Sequence, residues 1–291
     1  MSSHPVDNPG TDACFRDPRR VLERYGLTPK RRFSQNFLIS RPVHQAIAGA
    51  VAPEPHETVV ELGAGLGTLT RFLLATGAHV IAVERDRDML HVLGQELEGH
   101  QRLRLVREDA ATLDFAALTS PLDHKPCVVG NLPYAIGGAI LRNLVANSRH
   151  VSRCAVMLQR EVGDRLLAEP GTPSYGALTV FIGAAYSVRS VRLVRPGAFF
   201  PRPQVGSALV SLTPHETPRA LETEAFRLVV RAAFSSRRKI LRNSLLRLPG
   251  GERQLVDGVL SAAGLSGEQR GETLSVEQFA DLASAWDRHQ G

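Results

Sequence analysis

The sequence predicts an α/β fold, with a doubly wound, mostly parallel sheet and a small all-helical C-terminal domain. Two observations predict it. Over the first two thirds of the chain, short apolar runs typical of buried strands alternate with amphipathic runs typical of helices, which favours a parallel sheet. Towards the C-terminus the periodicity becomes helical and strand-like runs are absent. The 291 residues are long enough for one large domain and a smaller one.

Changes in composition set the predicted domain boundaries. Residues 1 to about 18 are polar and aperiodic, which predicts a disordered tail, and a short helix completes an N-terminal segment over 1–28. The alternating region predicts a domain over 29–213. Pro214 to Pro218 is expected to link it to a helical domain over 214–291.

The individual elements follow from the same patterns. Strands are expected at 59–62, 79–84, 103–107, 127–130, 151–158, 178–195 and 205–212. Helices are expected at 21–26, 42–51, 68–76, 86–98 and 159–167, and in the C-terminal domain at 223–234, 236–247, 252–264 and 275–288. Ser275 with Gln278 three residues later is a capping box for the last helix.

Three glycines at alternate positions, Gly63, Gly65 and Gly67, follow the first of these strands. Glycine permits a positive φ and a close approach of a ligand to the backbone. The next strand ends in Glu84, whose carboxylate could accept both hydroxyls of a ribose. A dinucleotide fingerprint would need glycine where Thr68 stands, so S-adenosylmethionine, which has a ribose and no phosphate, fits better. The alternative is an ordinary strand-to-helix turn that needs glycine for packing.

Four predicted strands end in residues suited to a binding site: Gly63, Glu84, Asp109 and Asn131. Because the carboxyl ends of parallel strands lie at one edge of a sheet, these residues are expected to converge. Asp109 could accept a hydrogen bond from the adenine amine of the cofactor. Each acid could instead cap the helix that follows it.

The sequence Asn131-Leu132-Pro133-Tyr134 suits methylation of an exocyclic amine. The lone pair of adenine N6 is delocalised into the ring, so the nitrogen must be held and aligned with the methyl group. The Asn131 side-chain carbonyl and the Leu132 backbone carbonyl can accept its two N–H groups, and rigid Pro133 fixes both. Tyr134 and Phe199 offer faces on which an extruded purine could stack. The alternative is a proline turn with a buried tyrosine.

The formal charge of +6 is unevenly distributed. Residues 19–32 and 224–247 together hold 13 of the 35 basic residues and only 2 of the 29 acidic ones. Such concentration is typical of proteins that bind a phosphate backbone, although single charge runs are often solvated surfaces. The expected RNA contacts are Lys30, Arg31, Arg32, Arg237, Arg238, Lys239 and Arg242. Arg238 and Arg242, four residues apart on a predicted helix, are expected to form a basic stripe.

Composition also indicates what the chain is not. It contains no run of 18 apolar residues, which argues against a membrane span, and its N-terminus lacks the pattern of a secretory signal, so a cytoplasmic location is expected. Its three cysteines are far apart, which argues against disulfides and against a zinc ligand pair. No metal site is expected.

Taken together, these motifs resemble the small-subunit (16S) ribosomal RNA adenine N6,N6-dimethyltransferase family, the KsgA/RsmA type. The resemblance covers nearly everything after residue 21. The residues that carry it are Tyr25-Gly26-Leu27, Gln35-Asn36-Phe37-Leu38, the run from Glu61 to Gly67, Glu84, Asp109-Ala110, Asn131 to Tyr134, Gln159-Arg160-Glu161-Val162, Phe199 with Pro201, Pro203, Val205 and Ser207, and Arg237-Arg238-Lys239.

The resemblance implies a class I methyltransferase fold and two successive methyl transfers from S-adenosylmethionine to each of two adjacent adenosines. The substrate would be a hairpin near the 3′ end of 16S rRNA in an assembling small ribosomal subunit. Separately from the resemblance, the chain is expected to be a monomer. The implied cofactor contacts are Asn36, Leu38, Gly63, Gly65, Glu84, Asp109 and Asn131. The target base would lie between Tyr134 and Phe199.

The sequence departs from the family pattern near the expected target base. Ser34 stands where glycine is usual, Ala135-Ile136-Gly137 replaces Asn-Ile-Ser, and Gln204 and Gly206 replace Lys and Asp. Three other functions stay open: the related large-subunit 23S rRNA adenine methylase of the macrolide-resistance type, a non-catalytic RNA-binding assembly factor, and a nicotinamide oxidoreductase. Thr68 and the basic clusters disfavour the last, and the segment around Glu272 to Ser275 favours the small-subunit enzyme.

Overall fold

The computed structural model describes residues 15–290, so the expected tail lies mostly outside the described residues. The chain divides into two compact units. The first comprises the described residues up to Asn143 together with Arg149–Arg160 and Ser190–Leu212. The second comprises Leu144–Ser148, Glu161–Arg189 and the described residues from Thr213 onwards.

The strands form a seven-stranded sheet and a separate two-stranded one. In chain order they are β1 (Phe37–Leu38), β2 (Thr58–Leu62), β3 (His79–Val83), β4 (Leu103–Val106), β5 (Cys127–Asn131), β6 (Cys154–Gln159), β7 (Tyr186–Val194), β8 (Phe199–Phe200) and β9 (Ser207–Pro214). The large sheet has the order β4-β3-β2-β5-β6-β9-β7, and β1 pairs with β8. All neighbours from β4 to β6 are parallel, and β9 joins β6 antiparallel, which confirms the predicted fold class.

β2 lies at the point where the strand order reverses. Val60 is aligned with Ile81 of β3 on one side and with Val128 of β5 on the other. All five residues of β2 are buried, which is typical of a parallel strand covered on both faces. In such a sheet the connections leave the central strand in opposite directions, so a crevice opens at its carboxyl end.

The helices cover the sheet and build the second unit. They are α1 (Pro18–Arg24), α2 (Arg41–Val51), α3 (Thr68–Ala75), α4 (Arg87–Glu96), α5 (Phe115–Thr119), α6 (Gly137–Ala146), α7 (Arg160–Leu166), α8 (Ala177–Ala185), α9 (Glu224–Phe234), α10 (Leu241–Leu245), α11 (Arg253–Ala262) and α12 (Val276–Gln290). Asp86 and Thr223 cap α4 and α9 through their side-chain oxygens. As predicted, Ser275 and Gln278 exchange the two hydrogen bonds of a capping box before α12.

The prediction of a strand over 178–195 is wrong in its first half, where α8 forms instead. Val180, Phe181 and Ile182 are all buried, so α8 is apolar on every side. A helix of that kind shows a continuous apolar run, which periodicity cannot distinguish from a buried strand. α8 packs in the core of the second unit with Phe226 of α9. Residues 161–189, expected in the first domain, therefore belong to the second unit.

The helix predicted over 236–247 is also wrong in its first half. Only α10 is helical, and Ile240 before it is extended, with φ of −67° and ψ of 156°. The Leu241 amide donates to the Gln269 carbonyl at 2.7 Å, and the Arg242 amide donates to the Gly267 carbonyl at 3.1 Å. Because these amides bond outside the helix, Arg238 and Arg242 do not share a helical face and the predicted basic stripe does not form.

No helix within residues 15–290 is both long and apolar enough to cross a membrane. In that same part of the chain, no group of three or more His, Cys, Asp or Glu residues is arranged to hold a metal ion.

Candidate active site

A cavity opens at the carboxyl ends of β2, β3 and β5, where the strand order reverses. Every residue expected to bind the cofactor lines it: Asn36, Leu38, Gly63, Gly65, Glu84, Asp109 and Asn131. Leu132, Pro133 and Tyr134 complete one wall. The elements that gather these side chains are the strand ends of one parallel sheet and the segment that contains β1.

The glycine bend after β2 has the predicted left-handed backbone. The φ angles of Gly63, Gly65 and Gly67 are +74°, +55° and +77°, which residues with a Cβ atom rarely adopt. A Cβ atom on Gly65 would lie 3.4 Å from the Phe37 ring, and one on Gly67 would lie 2.3 Å from Leu93 Cδ1. The bend therefore needs glycine both for its conformation and for packing.

The Glu84 carboxylate is fixed by backbone amides at the end of β3. Its Oε2 atom accepts from the Gly65 amide at 2.8 Å, and its Oε1 atom accepts from the Asp86 amide at 2.7 Å. Burial raises the pKa of Glu84, and these two hydrogen bonds oppose that shift. Each oxygen keeps a second acceptor position, so the group fits a ribose with two adjacent hydroxyls.

Asp109 follows β4 and is held from two sides. Its Oδ1 atom accepts from the Ala111 amide at 3.0 Å, and its Oδ2 atom accepts from Arg85 Nη1 at 2.8 Å. The Arg85 guanidinium also lies 5.5 Å from the centre of the Phe33 ring, and the Arg32 guanidinium lies 4.8 Å from it. Phe33 and Arg85 thus form a cation–π wall beside the carboxylate.

The Asn131 turn lies beside the glycine bend. A Cβ atom on Gly63 would be 3.8 Å from Pro133 Cδ and 3.9 Å from the Asn131 backbone oxygen. Asn131 Nδ2 donates to the Asn36 carbonyl at 3.0 Å, which leaves Oδ1 as the acceptor of this side chain. The Leu132 amide donates to the Met157 carbonyl at 2.9 Å, so the peptide at the turn is anchored to β6.

Tyr134 lines the cavity as a neutral phenol. Its hydroxyl lies 2.6 Å from Ser207 Oγ, a hydrogen-bond distance. Burial raises the pKa of Tyr134, and the bond with Ser207 opposes the shift. The ring is therefore held in place at its polar end.

Phe199 does not line the cavity, which corrects the predicted pairing with Tyr134. Only 3% of it is exposed, and it packs in the core beside Leu38, its partner in the β1–β8 pair. Phe200, its neighbour, pairs with Phe37 and is 37% exposed. In this conformation, stacking of a base on Phe199 is excluded because its ring is inside the core.

Lys30, expected to contact RNA, is instead paired with two carboxylates at the start of α4. Its Nζ atom lies 2.7 Å from Asp86 Oδ1 and 2.6 Å from Asp88 Oδ2. Gln35 joins the same network: its Nε2 atom donates to Asp86 Oδ2 at 2.8 Å, and its Oε1 atom accepts from the Lys30 amide at 2.8 Å. We call residues 30–38 the N-terminal arm. The network ties this arm to the strand end that carries Glu84.

The remaining expected RNA contacts differ in their surroundings. Arg242 is neutralised by Asp257 at 2.7 Å and by Glu268 at 2.5 Å, so it is a poor candidate for phosphate binding. Arg237 donates to the backbone carbonyls of Pro173 and Tyr175. The others whose side chains are described, Arg32, Arg238 and Lys239, form no ion pair with any carboxylate in the described part of the chain. The positive charges of these three residues are therefore not neutralised by a described carboxylate.

Two further residues that line the cavity, Glu61 and Ser34, were given no role from the sequence. Glu61 on β2 is buried under the cavity, where Thr70 Oγ1 donates to its Oε2 atom at 2.5 Å, and burial raises its pKa to about 8. A glutamate inside an apolar strand was the available signal. Ser34, which stands where the family usually has glycine, has a φ of +49°. At Ser34 the backbone is therefore in the left-handed region, which glycine, the usual residue of the family, adopts more readily than serine.

The reversed strand order, the positive-φ glycine bend and the fixed carboxylate define the nucleoside-cofactor site of a class I methyltransferase. Comparisons with known proteins give the particular family. A family model described as "Ribosomal RNA adenine dimethylase" matches residues 26–282. This chain belongs to the ribosomal RNA adenine dimethylase family.

Individual relatives agree with this assignment. The chain is 45% identical over 271 residues to Ribosomal RNA small subunit methyltransferase A of Myxococcus xanthus, covering 92% of this chain and 94% of the relative. A dimethyladenosine transferase from Plasmodium falciparum has a TM-score of 0.74 at 23% identity, with 87% of this chain and 98% of that chain covered, and supports the fold alone. The 23S rRNA methyltransferase ErmE has a TM-score of 0.62 at 28% identity, with coverages of 87% and 100%.

Membership of the family confirms several predictions at once. The chain is an S-adenosylmethionine-dependent methyltransferase, and the group modified by its family is adenine in ribosomal RNA. The cavity fits this donor on its own features, because a carboxylate with two acceptor oxygens lies beside a bend without Cβ atoms.

Proposed function

We propose that this chain methylates N6 of two adjacent adenosines, twice each, in the 3′-terminal hairpin of 16S rRNA. It acts as a monomer in the cytoplasm on an assembling small ribosomal subunit. The observation that carries the proposal is that the Asn131 turn lies beside the glycine bend. A Cβ atom on Gly63 would be less than 4 Å from Pro133 Cδ. The relative in Myxococcus xanthus, named for the small subunit, supports the choice of RNA.

S-adenosylmethionine supplies an electrophilic methyl group when bound. Glu84 would accept hydrogen bonds from the ribose hydroxyls, and Asp109 would accept one from the adenine amine of the donor. Asn131 Oδ1 and the Leu132 carbonyl accept the two N–H groups of the target adenine, which turns the nitrogen lone pair out of conjugation and stabilises the developing positive charge. Positioning of this kind requires no strong general base.

The rigidity of this wall supports the role. The Asn131 amide nitrogen is bonded to Asn36, the Leu132 amide to Met157 and the Tyr134 hydroxyl to Ser207, so each group that would touch the target is held by another element. Such preorganisation lowers the reorganisation needed during reaction. Tyr134 supplies the stacking face.

The large-subunit methylase is the second candidate, because ErmE shares the fold at 28% identity. The higher identity of 45% to the small-subunit relative favours the first. A non-catalytic assembly factor is disfavoured by a cavity wall in which Glu84, Asp109 and Asn131 are all present and hydrogen-bonded.

Labelled S-adenosylmethionine incubated with undermethylated small and large ribosomal subunits tests the proposal. Label mapped to two adjacent adenosines of the 16S hairpin is expected, and label in 23S rRNA would indicate the second candidate. Asn131→Ala is expected to lower methyl transfer by at least about a hundredfold, as loss of one oriented acceptor does, with RNA affinity unchanged. Undiminished turnover by this variant would reject the role of Asn131.

A further inference from the structure

Residues 170–215 contain no aspartate or glutamate but four arginines, Arg189, Arg192, Arg195 and Arg202. All four are exposed. None of them forms an ion pair with a carboxylate in the part of the chain that the structure describes. This segment is a third concentration of positive charge, distinct from the two recognised in the sequence.

The same segment exposes apolar side chains. Seven large hydrophobic residues are exposed within residues 15–290, and four of them lie between 191 and 205: Val191 (43%), Leu193 (57%), Phe200 (37%) and Val205 (47%). Guanidinium groups beside exposed aromatic and apolar side chains are typical of surfaces that bind unpaired RNA, where phosphates meet cations and bases stack on rings. A solvated charged face would not need to expose these hydrophobic residues.

Strand pairing connects this segment to the cavity. Phe200 pairs with Phe37, and the Ile39 amide donates to the Ala198 carbonyl at 2.8 Å. Phe37 and Leu38 line the cavity. Since paired strands lie about 4.8 Å apart, Phe200 is one strand away from the cavity wall.

We propose that the first unit binds the RNA strand flanking the target adenosine on an edge surface. The edge surface is formed by Val191, Arg192, Leu193, Arg195, Phe200, Arg202 and Val205. Its arginines contact phosphates and Phe200 stacks under an unpaired base next to the one that enters the cavity. The inference rests on the proposed function, because it takes RNA as the substrate.

The salt dependence of RNA binding tests the arginines. The test variant is Arg195→Gln with Arg202→Gln, which spares Arg192 because that residue donates to the Pro42 carbonyl at 3.4 Å. The matched control is Arg104→Gln with Arg107→Gln, exposed residues in and just beyond β4 at the opposite edge of the sheet. Each lost contact to single-stranded RNA lowers the slope of log K against log salt by about 0.7, so a decrease of about 1.4 is expected for the test variant.

The control is expected to keep the wild-type slope. An unchanged slope in the test variant would overturn the proposal, and so would an equal decrease in both variants, since that would show only a general effect of charge. Affinity is measured without a methyl donor. If the wild-type enzyme methylated no adenosine but the test variant showed the lower salt slope, the proposed function would be refuted and this inference would stand.

Phe200 provides an independent test. Phe200→Ala is expected to weaken binding of a single-stranded hairpin-loop RNA by about tenfold, the usual effect of removing one stacking ring, and Phe200→Tyr is expected to restore it. Circular dichroism checks that both variants fold. Equal affinity of the alanine variant and the wild type would show that no base stacks there.

Discussion

Three carboxylates that line the cavity, those of Glu61, Glu84 and Asp109, have different hydrogen-bond partners. Glu84 accepts from two backbone amides, and Asp109 accepts from one amide and the Arg85 guanidinium. The Glu61 side chain is fully buried. It accepts a hydrogen bond from the Thr70 hydroxyl, and its negative form is repelled by Glu84. Burial therefore keeps Glu61 protonated at neutral pH, with a pKa of about 8, under a site that receives a cationic donor.

Glu61 gives the stability of the protein a pH dependence that can be isolated. Its pKa is raised in the folded state from 4.5 to about 8, so its contribution is fully present below pH 4.5 and is lost as the pH rises to about 8. The Glu61→Gln variant has no group that can ionise at this position. We expect this variant to gain stability relative to the wild type as the pH rises from 5 to 8, measured as the difference in Tm by calorimetry without donor.

Thr70→Val serves as the control for that experiment, because it removes the hydroxyl that stabilises the Glu61 carboxylate. It is expected to extend the loss of stability to higher pH in the wild-type background and to have no such effect when it is combined with Glu61→Gln. Parallel Tm curves for the wild type and Glu61→Gln would show that Glu61 does not titrate in this range.

The position of a site residue could be predicted where the strand that carries it fixes that position, and could not be predicted where contacts with residues distant in sequence fix it. Glu84 and Asn131 end strands, so a parallel sheet brings them together whatever packs around it. The burial of the Phe199 ring beside Leu38 and the ion pair of the Lys30 ammonium with Asp86 were not predicted, because both contacts join residues that are distant in sequence. A single sequence does not show which of two neighbouring aromatic residues faces the core.

Among the elements, the N-terminal arm is the one whose position depends most on polar contacts. Lys30 and Gln35 both bond Asp86, whose own amide donates to Glu84. Asn36, within the arm, accepts from Asn131. The arm thus links the carboxylate expected at the ribose with the turn expected at the target amine.

Loss of the Lys30 contacts should act on the cofactor rather than on RNA. Lys30→Met removes both ion pairs and leaves the buried Asp86 side chain with one fewer donor, so the arm is expected to loosen. We expect the affinity for S-adenosylmethionine, measured by calorimetry, to fall several-fold while the salt dependence of RNA binding stays unchanged. Lys30→Arg, which keeps the charge, is expected to recover most of the affinity. A normal cofactor affinity with a lower salt slope would restore the RNA role predicted from the sequence.

At the scale of the whole molecule, the alternation of strands and helices was enough to predict the parallel sheet, whereas the extent of the two units was not predictable. Residues 161–189 lie between strands in the sequence, yet their apolar side chains join a core with Phe226 and Phe279. Membership of a core depends on which distant residues complete it, and periodicity reports only that a segment is buried.

The second unit carries basic residues of two kinds, and this distinction gives a test of its expected role in RNA binding. Arg238 is exposed and forms no ion pair with any described carboxylate, whereas Arg242 is paired with Asp257 and Glu268 and lies across Gly267. Arg238→Gln is expected to lower the salt slope of RNA binding by about 0.7 to 0.9, one phosphate contact, with Tm unchanged. Arg242→Gln, its matched control, is expected to lower Tm and keep the slope. A reversed result would mean that RNA displaces the carboxylates around Arg242, and an unchanged slope in both variants would remove this part of the second unit from the RNA interface.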